Sequence, residues 1–200
     1  MARLRIEGEP DQAYAYKSGD TQLLGLVVER AVGQPLAGYA EQRLWQPLGA
    51  QYDASWSLDS AGSAVARAFC CLNARPADYL RLGQLLLNEG LWRGQRIVSA
   101  QWLRDSTAAQ SGRPGRSEAD QRNIERLGTP QAAFYAWQWR RRLLPGQGPP
   151  QPGALVYAQG LHGQVLMADP DLQTVALRLG QRTGPRHWPG WMEALLGLNP

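Results

Sequence analysis

Tyr14-Ala15-Tyr16-Lys17-Ser18-Gly19-Asp20-Thr21 runs without a break into Gln22-Leu23-Leu24-Gly25-Leu26-Val27-Val28-Glu29-Arg30-Ala31-Val32-Gly33. The first part sets a phenol, an ammonium and a hydroxyl at a turn. The second carries Leu23, Leu24, Val27, Val28 and Ala31 at the i, i+3, i+4 spacing of an amphipathic helix. Asp20 or Thr21 is the expected N-cap and Gly33 the expected stop. A capped helix under a polar turn can hold an aromatic ring still, which makes Tyr16 the first candidate for chemistry. Taken alone, the ordinary reading of such a residue is a half-buried tyrosine with its hydroxyl in water.

Downstream, Pro35 is expected at N1 of a second helix over 36–45, ended by Pro47 and Gly49 and forming a helical hairpin through Gly33-Gln34. Residues 50–65 read as a covering loop and 66–74 as a short apolar crossing segment. Pro76 opens a third helix closed by Gly90, with Tyr79, Leu82 or Gly83, Leu86 and Leu87 as its inner face. A tight turn over 90–94 follows, then a fourth helix from Ser99 through Trp102. Residues 108–130 are polar and rich in Gly, Ser and Arg, as surface loops are.

The last third changes period. Phe134-Tyr135-Ala136-Trp137-Gln138-Trp139 alternates, and residues 154–158 form a strand. Residues 164–168 and 174–179 flank Asp169-Pro170-Asp171-Leu172, the pattern of a hairpin. A final helix spans about 188–196. Helices, then antiparallel strands, then one more helix is an α+β order, with helices packed on the sheet. The expected organisation is one catalytic domain in parts: an unstructured start (1–13), a helical part (14–110), a loop (111–130), and the sheet with its terminal helix (131–200).

The chain of 200 residues is 44% apolar with eight Trp, which excludes a disordered polypeptide. Its net charge of +4 rests on 20 Arg and one Lys. Arg140-Arg141-Arg142, beside Trp137 and Trp139, reads as a solvated strand edge, since no nucleic-acid motif accompanies it. Trp137 and Trp139, at i and i+2, are expected to share a sheet face and pack in the core. Cys70 and Cys71 are adjacent, and neighbours rarely pair, so two buried reduced residues are expected. His162 and His187 are far apart and suggest no metal site. The N-terminus lacks an apolar signal region, and no run reaches membrane-spanning length, so a cytoplasmic location is expected for the chain as written; a longer ancestor could have been periplasmic.

Four stretches carry a resemblance. They are Tyr16-Lys17-Ser18-Gly19-Asp20-Thr21 with Leu24-Gly25; Phe69-Cys70-Cys71-Leu72-Asn73-Ala74 with Asp78-Tyr79 and Gly83; Tyr135-Ala136-Trp137-Gln138-Trp139; and Gly160-Leu161-His162-Gly163-Gln164 with Asp169-Pro170. In this order they resemble the C-terminal half of the serine β-lactamase-related hydrolases, the group of class C β-lactamases, D,D-peptidases and esterases, with the nearest look to the aminohexanoate-oligomer hydrolases. The resemblance covers roughly residues 10 to 200. It implies hydrolysis of an amide, lactam or ester through an acyl-enzyme, without cofactor or metal. By resemblance, Tyr16 matches the phenol that acts as general base and acid. Ser18 stands where the family often has Asn. Leu161, His162, Gly163 and Gln164 match the substrate-facing stretch at the sheet edge, and Asn73 a polar position lining the cleft.

One departure matters most. The family's nucleophile is a Ser followed three residues later by Lys, and none of the nine serines here has a Lys at that spacing. The single Lys17 is next to Tyr16, and neighbouring side chains diverge, so it is badly placed to lower the phenol's pKa. The expectation is a chain that lacks the nucleophile helix and the N-terminal strands of the sheet and is inactive alone. Its partners would be a small-molecule substrate and a missing N-terminal segment or separate chain, with no nucleic acid. A non-catalytic ligand- or peptide-binding module is the alternative. Without N-terminal strands, Thr174–Leu179 is expected to leave an open apolar sheet edge.

Overall fold

The computed structural model describes residues 17–107, 133–142, 155–186 and 188–197. Tyr16, His187 and the loop expected over 108–130 lie outside these residues. The chain begins with α1 (Ser18–Val32) and α2 (Leu36–Ala40), and α2 continues into a π-helical turn, Glu41–Trp45. A two-stranded ladder follows, β1 (Ser55–Trp56) with β2 (Leu72–Asn73). Next come α3 (Pro76–Leu87), the small hairpin β3 (Leu91–Trp92) and β4 (Gln95–Arg96), and α4 (Ala100–Thr107). The main sheet is an antiparallel meander of β5 (Ala133–Ala136), β6 (Trp139–Arg142), β7 (Val156–Gly160), β8 (Gln164–Asp169) and β9 (Thr174–Arg178). Helix α5 (Trp188–Leu195) closes the chain.

The sheet is covered on both faces. Antiparallel pairs put partners on the same side, and Met167 opposes both Tyr157 and Ala176, while Val165 opposes Arg178. That side meets α5, where Tyr157, Val165, Met167 and Met192 form a buried cluster edged by Trp188 and Leu196. Leu166 and Val175 belong to the other side and meet α3 at Gly83. Strands β8 and β9 are therefore apolar on both faces, as a sheet between two helical layers requires. A second core, Leu48, Leu85 and Trp92 with Leu44, Leu82, Ile97 and Val98, joins α3 to the π turn and the small hairpin.

Several expectations are corrected. Helix α1 starts at Ser18, with Lys17 as an extended N-cap that makes no side-chain cap bond. Gly33 does end it, in the left-handed conformation at φ 69°. The expected inner face of α1 is its outer one: Leu23, Leu24 and Val27 are 50–55% exposed, and Gly25 is the one residue buried in the helix. Gly25 is the contact because the helix meets Ala68 so closely that a Cβ there would overlap the Ala68 methyl. Pro35 is the N-cap of α2, one position earlier than N1.

Helix α3 opens at Pro76 as read, but its buried residues are Asp78, Gly83 and Leu85. The arginine run forms β6, an inner strand between β5 and β7, so it is no sheet edge. Trp137 does not share a core face with Trp139. It occupies the β5–β6 turn with Gln138, both at positive φ (44° and 78°), and is 45% exposed against the Trp102 ring, 5.0 Å between centroids. A two-residue hairpin turn of the type I′ kind needs left-handed backbone at both positions, and here non-glycine residues supply it. Cys70 and Cys71 form a disulfide with each other and are only partly buried. The hairpin of β8 and β9 is as read. Asp169 turns it by accepting the backbone N–H groups of Asp171 (2.9 Å) and Leu172 (3.0 Å). Strand β9 ends the sheet with no neighbour on its outer side among the described residues.

Candidate functional site

Of the Tyr-x-Ser turn, Ser18 is described: it is the first residue of α1 and is exposed. One turn on, Gln22 fixes the helix. Its Nε2 donates to the Ala66 carbonyl and its Oε1 accepts from the Ala68 N–H, both at 3.0 Å. A side-chain amide carries a donor and an acceptor side by side, so it can satisfy a carbonyl and an N–H of the same backbone turn. The turn so held, residues 66–71, runs directly into β2 and Asn73.

Two more groups shape this loop. The Trp56 indole N–H is shared between the carbonyls of Arg67 (3.0 Å) and Cys70 (2.8 Å). The Cys71 carbonyl accepts from the Ser57 N–H (3.0 Å) and from Asn73 Nδ2 (3.1 Å). Asn73 Nδ2 also reaches the Ser55 carbonyl at 3.4 Å. The Asn73 donor group is thus engaged with backbone, while the residue itself is exposed.

The Leu161-His162-Gly163 stretch forms a 3-10 turn between β7 and β8. His162 sits in the left-handed region at φ 63°, and both Leu161 and His162 are exposed, Leu161 to 78%. Arg178, at the end of β9, holds this turn from the α5 side. Its Nη1 donates to the carbonyls of His162 (3.1 Å) and Gly163 (2.5 Å), and its guanidinium lies 3.6 Å from the centre of the Trp188 ring. Gly163 is required here: its φ is 75°, and a Cβ would come within 2.6 Å of Trp188 Cδ1 and 2.7 Å of Arg178 Nη1. Gln164 spans to the irregular segment just after β9, with Oε1 accepting from the Gly180 N–H at 2.8 Å and Nε2 donating to the Gly180 carbonyl at 2.5 Å. Its amide closes the sheet end.

Ser18, Asn73 and the 161–163 turn therefore fall into two groups, and no hydrogen bond joins the two among the described residues. Helix α3 links them. Tyr79 Oη donates to the Leu72 carbonyl next to Asn73, and burial pushes the phenol pKa up from its ordinary 10.0. One turn further along, Gly83 rests on Val175 and Leu166 of the main sheet. At the start of the same helix the fully buried Asp78 accepts from the Gln51 N–H (2.8 Å) and from Arg81. Its Oδ2 has no hydrogen-bond partner among the described residues.

Sequence reading did not find Gln22, Arg178 or Trp188. Arg178 was visible as the one charge at the end of the Thr-Val-Ala-Leu-Arg strand, a position where a solvent role is the simpler reading. A shallow apolar pocket of about 260 Å³ lies between β9 and α5, lined by Ala176, Leu177, Trp188, Trp191 and Met192 among others. It shares only Arg178 and Trp188 with the turn's support. No group of three or more His, Cys, Asp or Glu side chains gathers as metal ligands would among the described residues.

The 161–163 turn, expected at the sheet edge, instead joins the inner strands β7 and β8 and so lies at the end of the sheet. A helix-covered antiparallel meander is the architecture of the β-lactamase and penicillin-binding hydrolase fold. The beta-lactamase family model matches residues 1–196, and the chain belongs to that family. It is 28% identical over 198 residues to the 6-aminohexanoate-dimer hydrolase of Paenarthrobacter ureafaciens, a match covering 98% of this chain and 46% of the relative. The chain thus spans about half the length of that relative.

Among solved structures it resembles a provisionally assigned 6-aminohexanoate-dimer hydrolase from Bacillus anthracis, with a TM-score of 0.76 and 22% identity, over 97% of this chain and 45% of that one. It also resembles a beta-lactamase from Mycobacterium bovis, with a TM-score of 0.64 and 20% identity, over 95% of this chain and 66% of that one. At these identities the structures speak for the fold alone. No described helix is long and apolar enough to cross a membrane.

Proposed function

We propose that this chain is the part of a serine hydrolase that supplies the phenol-bearing turn and the turn between β7 and β8, and that the nucleophile comes from outside these 200 residues. The reaction is hydrolysis through an acyl-enzyme. A linear amide is the first substrate class to test, with esters and lactams next, because the relative matched over nearly the whole chain is a 6-aminohexanoate-dimer hydrolase. In this reading Tyr16 carries the proton from nucleophile to leaving group. Ser18 donates to the substrate carbonyl. The turn at Leu161, His162 and Gly163, with Gln164 behind it, presents backbone to the acyl group.

The observation that carries the reading is a pairing of two facts. The family match extends over residues 1–196, yet no serine in the chain has a lysine three residues on. A serine made nucleophilic in this chemistry needs a base within hydrogen-bond reach, and an isolated hydroxyl near water's acidity attacks amides too slowly to matter.

The test is to treat the purified chain with a fluorophosphonate and, separately, with a chromogenic lactam and a nitrophenyl acyl ester. No stoichiometric label and no turnover above buffer are expected. Labelling that disappears when one of the chain's own serines is replaced would overturn the proposal. If activity appears only when a polypeptide carrying the Ser-x-x-Lys segment is added, replacing Tyr16 by Phe in that mixture is expected to lower kcat at least ~100-fold, the usual worth of a general base.

A further inference from the structure

Nothing in the proposed chemistry uses Cys70 and Cys71, yet they sit at the junction between α1 and β2. Their sulfurs are bonded to one another, which closes a small ring through the peptide bond between them. Both residues are partly exposed, so a reagent can reach them. Cys71 is held at φ 70°, a conformation that L-residues seldom adopt and achiral glycine takes freely.

The carbonyls around this ring carry the local structure. Cys70 O accepts the Trp56 indole, and Cys71 O accepts the Ser57 N–H and Asn73 Nδ2. Three residues back, Ala68 is pinned to α1 by Gln22 and packs against Gly25. The segment is thus covalently set at one end and fastened to a helix at the other.

We propose that Cys70–Cys71 is a reversible thiol–disulfide modification site, addressed by dithiol reductants, whose opening releases the 66–73 segment. A thiolate of the reductant attacks one sulfur, breaking the Cys70–Cys71 bond and forming a mixed disulfide. Its second thiol then displaces the protein thiol. The protein gains two electrons and two protons, and the reductant leaves as a cyclic disulfide. Once open, nothing covalent keeps Cys71 left-handed, and the carbonyls that hold Trp56, Ser57 and Asn73 are free to turn. In a reducing compartment such a bond is transient rather than permanent, which is the behaviour a sensor requires. The proposal does not depend on the chain being a hydrolase.

The experiment uses the whole chain purified without reductant. Denatured in excess N-ethylmaleimide, it is expected to take up no maleimide; after dithiothreitol it should take up two. The folded, reduced chain should then bind one phenylarsine oxide, which condenses with two neighbouring thiols and releases water. Trypsin cleavage after Arg67, which is exposed, should speed up several-fold on reduction, roughly as local opening exposes backbone.

Cys71→Gly separates the bond from the conformation, because glycine takes φ 70° without a ring. That variant should stay slow to cleavage and be indifferent to dithiothreitol, whereas Cys71→Ser should be fast in both conditions. Two maleimides on the unreduced chain would overturn the proposal. So would equal cleavage rates for the oxidised and reduced wild type. Neither result depends on a variant folding.

Discussion

Replacing Gly83 by Ala sets two effects of opposite sign against each other. In a helix interior, Ala is favoured over Gly by about 1 kcal/mol. Gly83, however, is where α3 touches the sheet. A Cβ there would overlap Val175 Cγ1, lie 3.0 Å from Val175 Cγ2 and 3.3 Å from Leu166 Cδ1. Extra methylenes in a packed interface cost about 1–3 kcal/mol. Val175 belongs to the edge strand and is partly exposed, but it is β-branched and stiff, so it yields by backbone movement rather than by a new rotamer.

The overlap is expected to win, with a net loss of up to about 2 kcal/mol after the helix gain is subtracted, and a melting temperature lower by up to about 8 °C for a chain of this size. Thermal melts by circular dichroism and urea titration measure both. Val175→Ala should restore part of the loss when combined with Gly83→Ala, because it removes the two overlapping methyls. A neutral or stabilised single variant would refute the claim that this contact sets the helix–sheet distance. Strict additivity of the two changes would refute it equally.

Arg178→Ala should cost about 1–3 kcal/mol, from the lost stacking on Trp188 and the carbonyls of His162 and Gly163 left without their donor, and Arg178→Lys should recover less than half, as read from urea midpoints. Tyr79 has its pKa raised in the folded chain, so its contribution is complete below pH 10 and falls as pH rises past that value; Tyr79→Phe should flatten the alkaline limb of a stability–pH curve above pH 10, and an unchanged limb would count against the burial described. The open β9 edge should make the chain associate as its concentration rises in sedimentation velocity, and Leu179→Lys, at an exposed position just past the strand, should weaken that association; a wild type that stays a compact monomer would contradict it.

The fold was legible where the local signal and the tertiary outcome agree. Pro76 opening α3, Gly33 closing α1 and the Asp169 turn between β8 and β9 are all written in residues whose backbone preferences leave little choice. The errors share one cause, which is that periodicity says a face is apolar but not whether anything lies against it. Leu23, Leu24 and Val27 form the face a helix would bury, yet contact is made through Gly25, whose missing side chain allows the approach. Trp137 reads as a strand residue from its alternation, and only the turn's geometry removes it from the sheet.

At the candidate site, the exposed residues quoted from the motifs, Ser18, Asn73 and His162, could be named because they recur in a family pattern. Their supports could not. Gln22, Arg178 and Trp188 act through backbone carbonyls and amides, and those partners leave no mark on the residue types of the sequence.

Tyr79 and Gly83 stand one helical turn apart on the same side of α3, roughly 6 Å along its axis. One meets the strand that bears Asn73 and the other the sheet that bears the 161–163 turn, so the spacing of the two is metered by helix pitch. Substitutions along α3 can alter how firmly each contact grips without changing that gauge. An inserted residue between them would instead swing one contact about 100° around the axis, and both could no longer engage at once.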